Sequence, residues 1–149
     1  MIDSTIIGQY SFFDGLEQDQ INSILPLMHQ EVFEAGVDII VEEKHNDRIY
    51  FIIEGRVAVL KQGIILMKLG KGDVFGELEV LDVSPVEATV KTLATTEVMT
   101  LSIDALGEIY EKDLKIYSFL LTNLARDVSR RLRYMDGKLV ADTHYTEWS

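Results

Sequence analysis

The chain has 149 residues, 47% of them apolar and 26% charged, with 14 basic against 25 acidic side chains and a net charge of −11. That length suits one domain with a real core. Charge of this sign repels nucleic acid and anionic membranes, and the absence of cysteine excludes disulfides and thiolate metal sites and fits the cytoplasm. No run of about eighteen apolar residues is present, so no membrane span is expected. The first residues lack the basic start and apolar block of a signal peptide.

In chain order, a lead-in at residues 11–16 (SFFDGL) runs into Glu17 to Met28. There Ile21, Ile24, Leu25 and Met28 recur at the spacing of an amphipathic helix, which Pro26 should stop or kink. From Glu31 the period changes to two. Val32-Phe33, Asp38 to Glu43, Arg48 to Ile53, Arg56 to Lys61, Ile64 to Leu69, Ala88 to Leu93 and Val98 to Ser102 read as strands. Turn formers separate them, notably Gly36, Asn46-Asp47, Gly55 and Gly63. About eight short strands in this style predict a closed antiparallel barrel or jelly roll. A short helix follows over Ile103 to Glu111. Asp113 then caps a second helix from Leu114 to about Asp136, with Gly137 as its C-terminal cap or a weak continuation to Val140.

Between the strands lies the stretch the rest is organised around, Leu69 to Val90, LGKGDVFGELEVLDVSPVEATV. A strand ends in a glycine turn, and Phe75-Gly76-Glu77 leads into a short helix whose free amides and dipole favour an anion. Glu77 at its start is a fixed carboxylate able to accept hydrogen bonds from a diol.

This string resembles the phosphate-binding cassette of cyclic-nucleotide-binding domains, the sensor domains of the catabolite activators and of the protein kinase A regulatory subunit. The family's run is FGELAL followed by PRAATV; here it reads FGELEV and PVEATV. The likeness covers nearly the whole chain. FFDGL, EAG at 34–36, IYFIIEGRVAV at 49–59 and LLTNLARDVSRRLR at 120–133 look like the family's first helix, barrel strands and long dimerisation helix, in the same order.

The resemblance implies a mainly β fold with flanking helices. Its β-roll, a jelly-roll barrel, would carry an N-terminal helix and a long C-terminal dimerisation helix. One domain would span residues 1–149: a helical segment at 1–30, the roll at 31–102 with the cassette at 69–90, helices at 103–140 and a tail at 141–149. It also implies a ligand seat at Phe75, Gly76, Glu77, Leu78, Val86, Glu87 and Ala88, with Met135 and Asp136 facing a base.

Four departures from the family pattern stand out. Glu43 replaces a glycine, Glu79 a small alanine, and Met135 and Asp136 the hydroxyl residues that meet adenine. Above all, the phosphate arginine is Val86, followed by Glu87. Truncating one side of a buried charge-assisted pair costs about 2–5 kcal/mol of binding, whereas a helix dipole returns at most about 2 kcal/mol.

Two readings follow. One is a non-catalytic regulatory domain that does not bind cyclic AMP in the usual way, and acts as a dimeric interaction module, through a protein partner, or on another ligand. The alternative is a working cyclic-AMP or cyclic-GMP sensor with a non-standard phosphate contact from Lys44, Arg48 or the long helix. The stripe Leu121, Leu124, Val128, Leu132, Met135 is longer than a small barrel can cover, so a homodimer is expected through it. Arg126, Arg130 and Arg133 share another face, with Arg131 and Lys138 nearby, and read as a solvated surface.

No catalytic or metal-ligating residues are expected. His29, His45 and His144 fall at a helix end, in a turn and in the tail, and no Ser-His-acid spacing stands out. Thirteen residues follow Asp136. If the chain ends there, that is too few for a DNA-reading helix-turn-helix, which needs roughly twenty.

Overall fold

The seven period-two runs all form strands, and Val74-Phe75 of the cassette adds an eighth, in a computed structural model that describes residues 7–82 and 86–148, with side chains described as far as 138. The strands are β1 (His29–Phe33), β2 (Asp38–Ile40), β3 (Arg48–Glu54), β4 (Arg56–Lys61), β5 (Ile64–Gly70), β6 (Val74–Phe75), β7 (Thr89–Thr92) and β8 (Thr96–Ser102). They build two four-stranded antiparallel sheets, ordered β1-β8-β3-β6 and β2-β7-β4-β5.

Strand parity divides the core in two. Tyr50 and Ile52 of β3 pack with Ile40, Val57, Leu69 and Val90 of the second sheet and fill the interior of the roll. Ile49, Phe51 and Ile53 point the other way and meet the helices. Both faces of β3 are therefore covered, which is why it reads as a continuous apolar run rather than an alternation.

Helix α1 (Gln18–Ile24) opens with a capping box in which Glu17 and Gln20 exchange side-chain and backbone bonds. It ends two residues before Pro26, and a single 3₁₀ turn over Leu25–Leu27 carries the proline. His29 opens β1 rather than closing a helix. Helix α2 (Glu77–Asp82) belongs to the cassette. Helix α3 (Ile103–Lys112) is capped by Ser102, whose Oγ accepts from the Ala105 amide at 3.0 Å. Asp113 Oδ1 then accepts from the amides of Lys115 and Ile116 and starts α4 (Leu114–Trp148).

Helix α4 passes straight through Gly137 instead of ending there, and takes in most of the expected tail at 141–149. A glycine inside a helix costs only about 1 kcal/mol relative to alanine, and no proline follows it. At 35 residues the helix is about 52 Å long. No helix among the described residues is long and apolar enough to cross a membrane. Val83, Ser84 and Pro85 of the cassette, and the side chains of Val140 and His144, lie outside what the structure describes.

Besides packing Ile116, Leu120 and Leu124 into the core, α4 is fixed to the N-terminal segment at two points. Asn123, 4% exposed, donates to the carbonyls of Phe12 and Asp14 at 2.8 and 2.9 Å. Phe119 lies so close over Gly15 that a Cβ there would sit 2.7 Å from its ring.

Candidate functional site

The cassette turns on Gly76. Its φ of 84° is left-handed, and a Cβ would meet the Arg48 carbonyl at 2.7 Å and Asn46 Nδ2 at 2.8 Å. Asn46 closes this corner by donating to the carbonyls of Arg48 (2.8 Å) and Gly76 (3.0 Å). The bend sends the chain from β6 directly into α2. Phe75 is thereby buried against Tyr50, their rings parallel at 4.9 Å, and Glu77 opens the helix at 1% exposure.

Val86 lies in the apolar interior, 3% exposed, beside that aromatic pair. Its amide donates to the Lys44 carbonyl at 3.0 Å, and its own carbonyl accepts from the Glu43 amide at 2.8 Å. Glu43, which replaces the family's glycine, holds the left-handed φ of 68° that a glycine would adopt freely.

Between the cassette and α4 lies a cavity of about 530 Å³. Val59 and Met67 of the β4–β5 hairpin, Phe75 and Val90 of the roll, and Val128 and Met135 of α4 line it, with the largely exposed Leu132 at its edge. Leu78 and Ala88 of the cassette also border it, Leu78 being 56% exposed. Its polar members are Glu77, Glu79, Asp82, Glu87, Lys61 and Arg131.

Arg131 reaches down from α4 and donates through Nη1 to Glu77 Oε1 at 2.7 Å. Its Nη2 lies 2.7 Å from Asp127 Oδ2, one turn back, as an ion contact without hydrogen-bond alignment. Burial pushes the Glu77 carboxyl above the ordinary carboxylate range, and Arg131 opposes this without cancelling it. Asp127 is raised for the same reason, again against Arg131. Glu79 is raised first by burial, against the pull of a backbone hydrogen bond, and the charge of Glu87 adds to the rise.

The structure thus gathers Phe75, Gly76, Glu77, Leu78, Glu87, Ala88 and Met135 around one cavity. It keeps Val86 in the core beneath and leaves Asp136 exposed, away from the lining. Glu87 is both exposed and at the cavity's edge. Of the substitute bases, Arg48 pairs with Glu31 at 2.9 Å, and neither it nor Lys44 borders the cavity.

Arg131 is the site residue that sequence reasoning left among the surface arginines. A clue was present: it stands seven residues after Leu124 and three after Val128, on the barrel-facing stripe. That stripe is itself divided. Leu124 is 1% exposed in the chain's own core with Leu121 packed against it, Val128 and Met135 are half-buried at the cavity, and Leu132 is 60% exposed. Among the described residues no group of three or more acidic or histidine side chains is placed to hold a metal ion.

A model of the cyclic nucleotide-binding domain matches residues 30–113. The CRP-like cAMP-activated global transcriptional regulator of Mycobacterium tuberculosis is 28% identical over 147 residues, covering 95% of this chain and 63% of the regulator. A cAMP-dependent protein kinase regulatory subunit from Debaryomyces hansenii is 36% identical over 88 residues, 58% of this chain and 20% of that protein. The chain therefore spans less than two thirds of either relative's length. Among solved structures, a cyclic nucleotide-binding domain from Methylobacillus flagellatus superposes with a TM-score of 0.85 at 21% identity, over 93% of this chain and 80% of its own.

Proposed function

This chain belongs to the cyclic nucleotide-binding domain family, and we propose that it is a non-catalytic, cytoplasmic regulatory domain that binds cyclic AMP weakly or not at all in the usual mode. One observation carries the reading: Val86, where the family pattern has its phosphate arginine, lies 3% exposed in an apolar core. No basic residue of the cassette borders the cavity, and among the described residues Glu79, Asp82 and Glu87, which do, form no ion pair. Losing one member of a charge-assisted pair costs about 2–5 kcal/mol, roughly thirty to several thousand-fold in affinity. The intact bend at Gly76 and the cavity itself support a domain that still receives a ligand, but of another kind.

The exposed Leu132 and the reach of α4 beyond the barrel support homodimerisation through the outer side of that helix. Calorimetry with cyclic AMP and cyclic GMP tests the ligand reading, and the expected result is no binding at low micromolar affinity. Val86→Arg combined with Glu87→Ala should gain affinity for cyclic AMP over the wild type, at some loss of thermal stability from overpacking the core.

Arg131 favours a second reading, since it is a cation from the long helix that borders the cavity. A cyclic phosphate that drew Arg131 away from Glu77 would bind measurably, and Arg131→Met would abolish that binding. Low-micromolar binding by the wild type decides for this alternative.

A further inference from the structure

The charges around the cavity are not balanced where a ligand would meet them. Arg131 is held between Glu77 and Asp127 at 2.7 Å from each, so its charge is already answered. Glu79 and Asp82 lie three residues apart on one face of α2, and Glu87 borders the cavity from the approach to β7. Among the described residues none of these three is in an ion pair, and Lys61 is the remaining cation of the lining. Glu79 is half-buried and already feels both desolvation and the charge of Glu87. The rest of the lining is aliphatic or aromatic.

An anion entering here would add to the repulsion. A purely apolar guest would desolvate Glu79 further without an opposite charge. A cation relieves both. We propose that the cavity takes an organic amine, an apolar body seated against Met67, Phe75 and Val128 with a protonated nitrogen between Glu79 and Glu87. This rests on the reading above that the site is not a cyclic-monophosphate seat, and it names the class of ligand received instead. The volume of about 530 Å³ lies within the range of small-molecule pockets, so the body can be a bicyclic ring with a short chain.

The test uses the full chain and two probes that share one fluorophore. Dansylcadaverine carries an amine, and the dansyl derivative of aminohexanoic acid carries a carboxylate on a chain of similar length. Entry of either into an apolar cavity shifts and brightens the dansyl emission. The amine should bind at least about tenfold more tightly than the carboxylate, a modest preference for ion contacts at a half-buried site. Glu79→Gln with Glu87→Gln should remove most of that preference, whereas Glu34→Gln with Glu111→Gln, at exposed positions outside the cavity, should leave it unchanged.

Equal binding of the two probes, a tighter carboxylate, absence of a shifted emission with either, or an amine preference that survives the cavity double variant would each overturn the proposal. Calorimetry with cyclic AMP on the same sample separates the two levels. If cyclic AMP binds at low micromolar affinity, the underlying reading fails and this proposal with it. If it does not and the amine preference is missing, only the amine proposal fails.

Discussion

Glu77 shows what a buried carboxylate demands of its surroundings. A carboxylate at 1% exposure is tolerable only with partners, and Arg131 supplies the main one. Removing one member of a buried ion pair typically costs about 3–5 kcal/mol. Arg131→Met should therefore lower stability at neutral pH, less so in acid, where the stranded Glu77 takes up a proton. Glu77, Glu79 and Asp127 all have carboxyls raised by burial. A raised folded-state value means that the native state holds protons more tightly, so their contribution is fully present below the ordinary carboxylate range. It is lost as pH rises through the raised values. Glu77→Gln should flatten that decline, which urea denaturation across the acidic range would register. A steeper decline in the variant would contradict the assignment.

Two elements carry the site, the bend into α2 and the long helix. Gly76→Ala places a methyl against a carbonyl and an amide in a left-handed backbone. It should cost at least about 2 kcal/mol and loosen the cassette, seen as a fall in melting temperature. Along α4 the consequences of substitution should change from one turn to the next. Leu124→Asp buries an unpaired charge in the chain's own core and should unfold the domain or nearly so. Leu132→Glu alters a 60% exposed position and should leave the fold intact while dissociating the proposed dimer. Sedimentation and circular dichroism on both variants separate the two roles. Folded monomers from Leu124→Asp would show that this turn faces outward.

Charge is segregated across the whole molecule. Residues 114–138 of α4 carry six basic and two acidic side chains, so this segment is +4 while the remainder of the chain is −15. Bringing two such helices side by side sets like charges against each other, and salt screens that repulsion over a Debye length of about 8–10 Å near physiological strength. Dimerisation through α4 should therefore tighten as salt rises from about 0.05 to 0.5 M. Weakening with salt in sedimentation equilibrium would instead indicate that the arginine face meets an acidic surface, such as the partner's roll.

The local features were legible in the sequence because they depend on neighbours along the chain. Alternating β-branched runs, the turns between them, Asp113 as a cap and the Phe75-Gly76-Glu77 bend each follow from a few adjacent residues, and together they specify the roll and its family. What needed the tertiary structure lies between segments far apart. Glu77 and Arg131 are 54 positions apart, and only the closure of α4 over the cassette makes them a pair. The same closure divides one apolar stripe between the core, the cavity and the outside. Gly137 misled because a glycine caps a helix only when something stops the helix there, and nothing in the following residues does. Val86 was readable as a missing cation. That its place is filled by core rather than left as a hollow is decided by how Tyr50, Phe75 and Val90 meet across the roll, which periodicity along a single strand cannot specify.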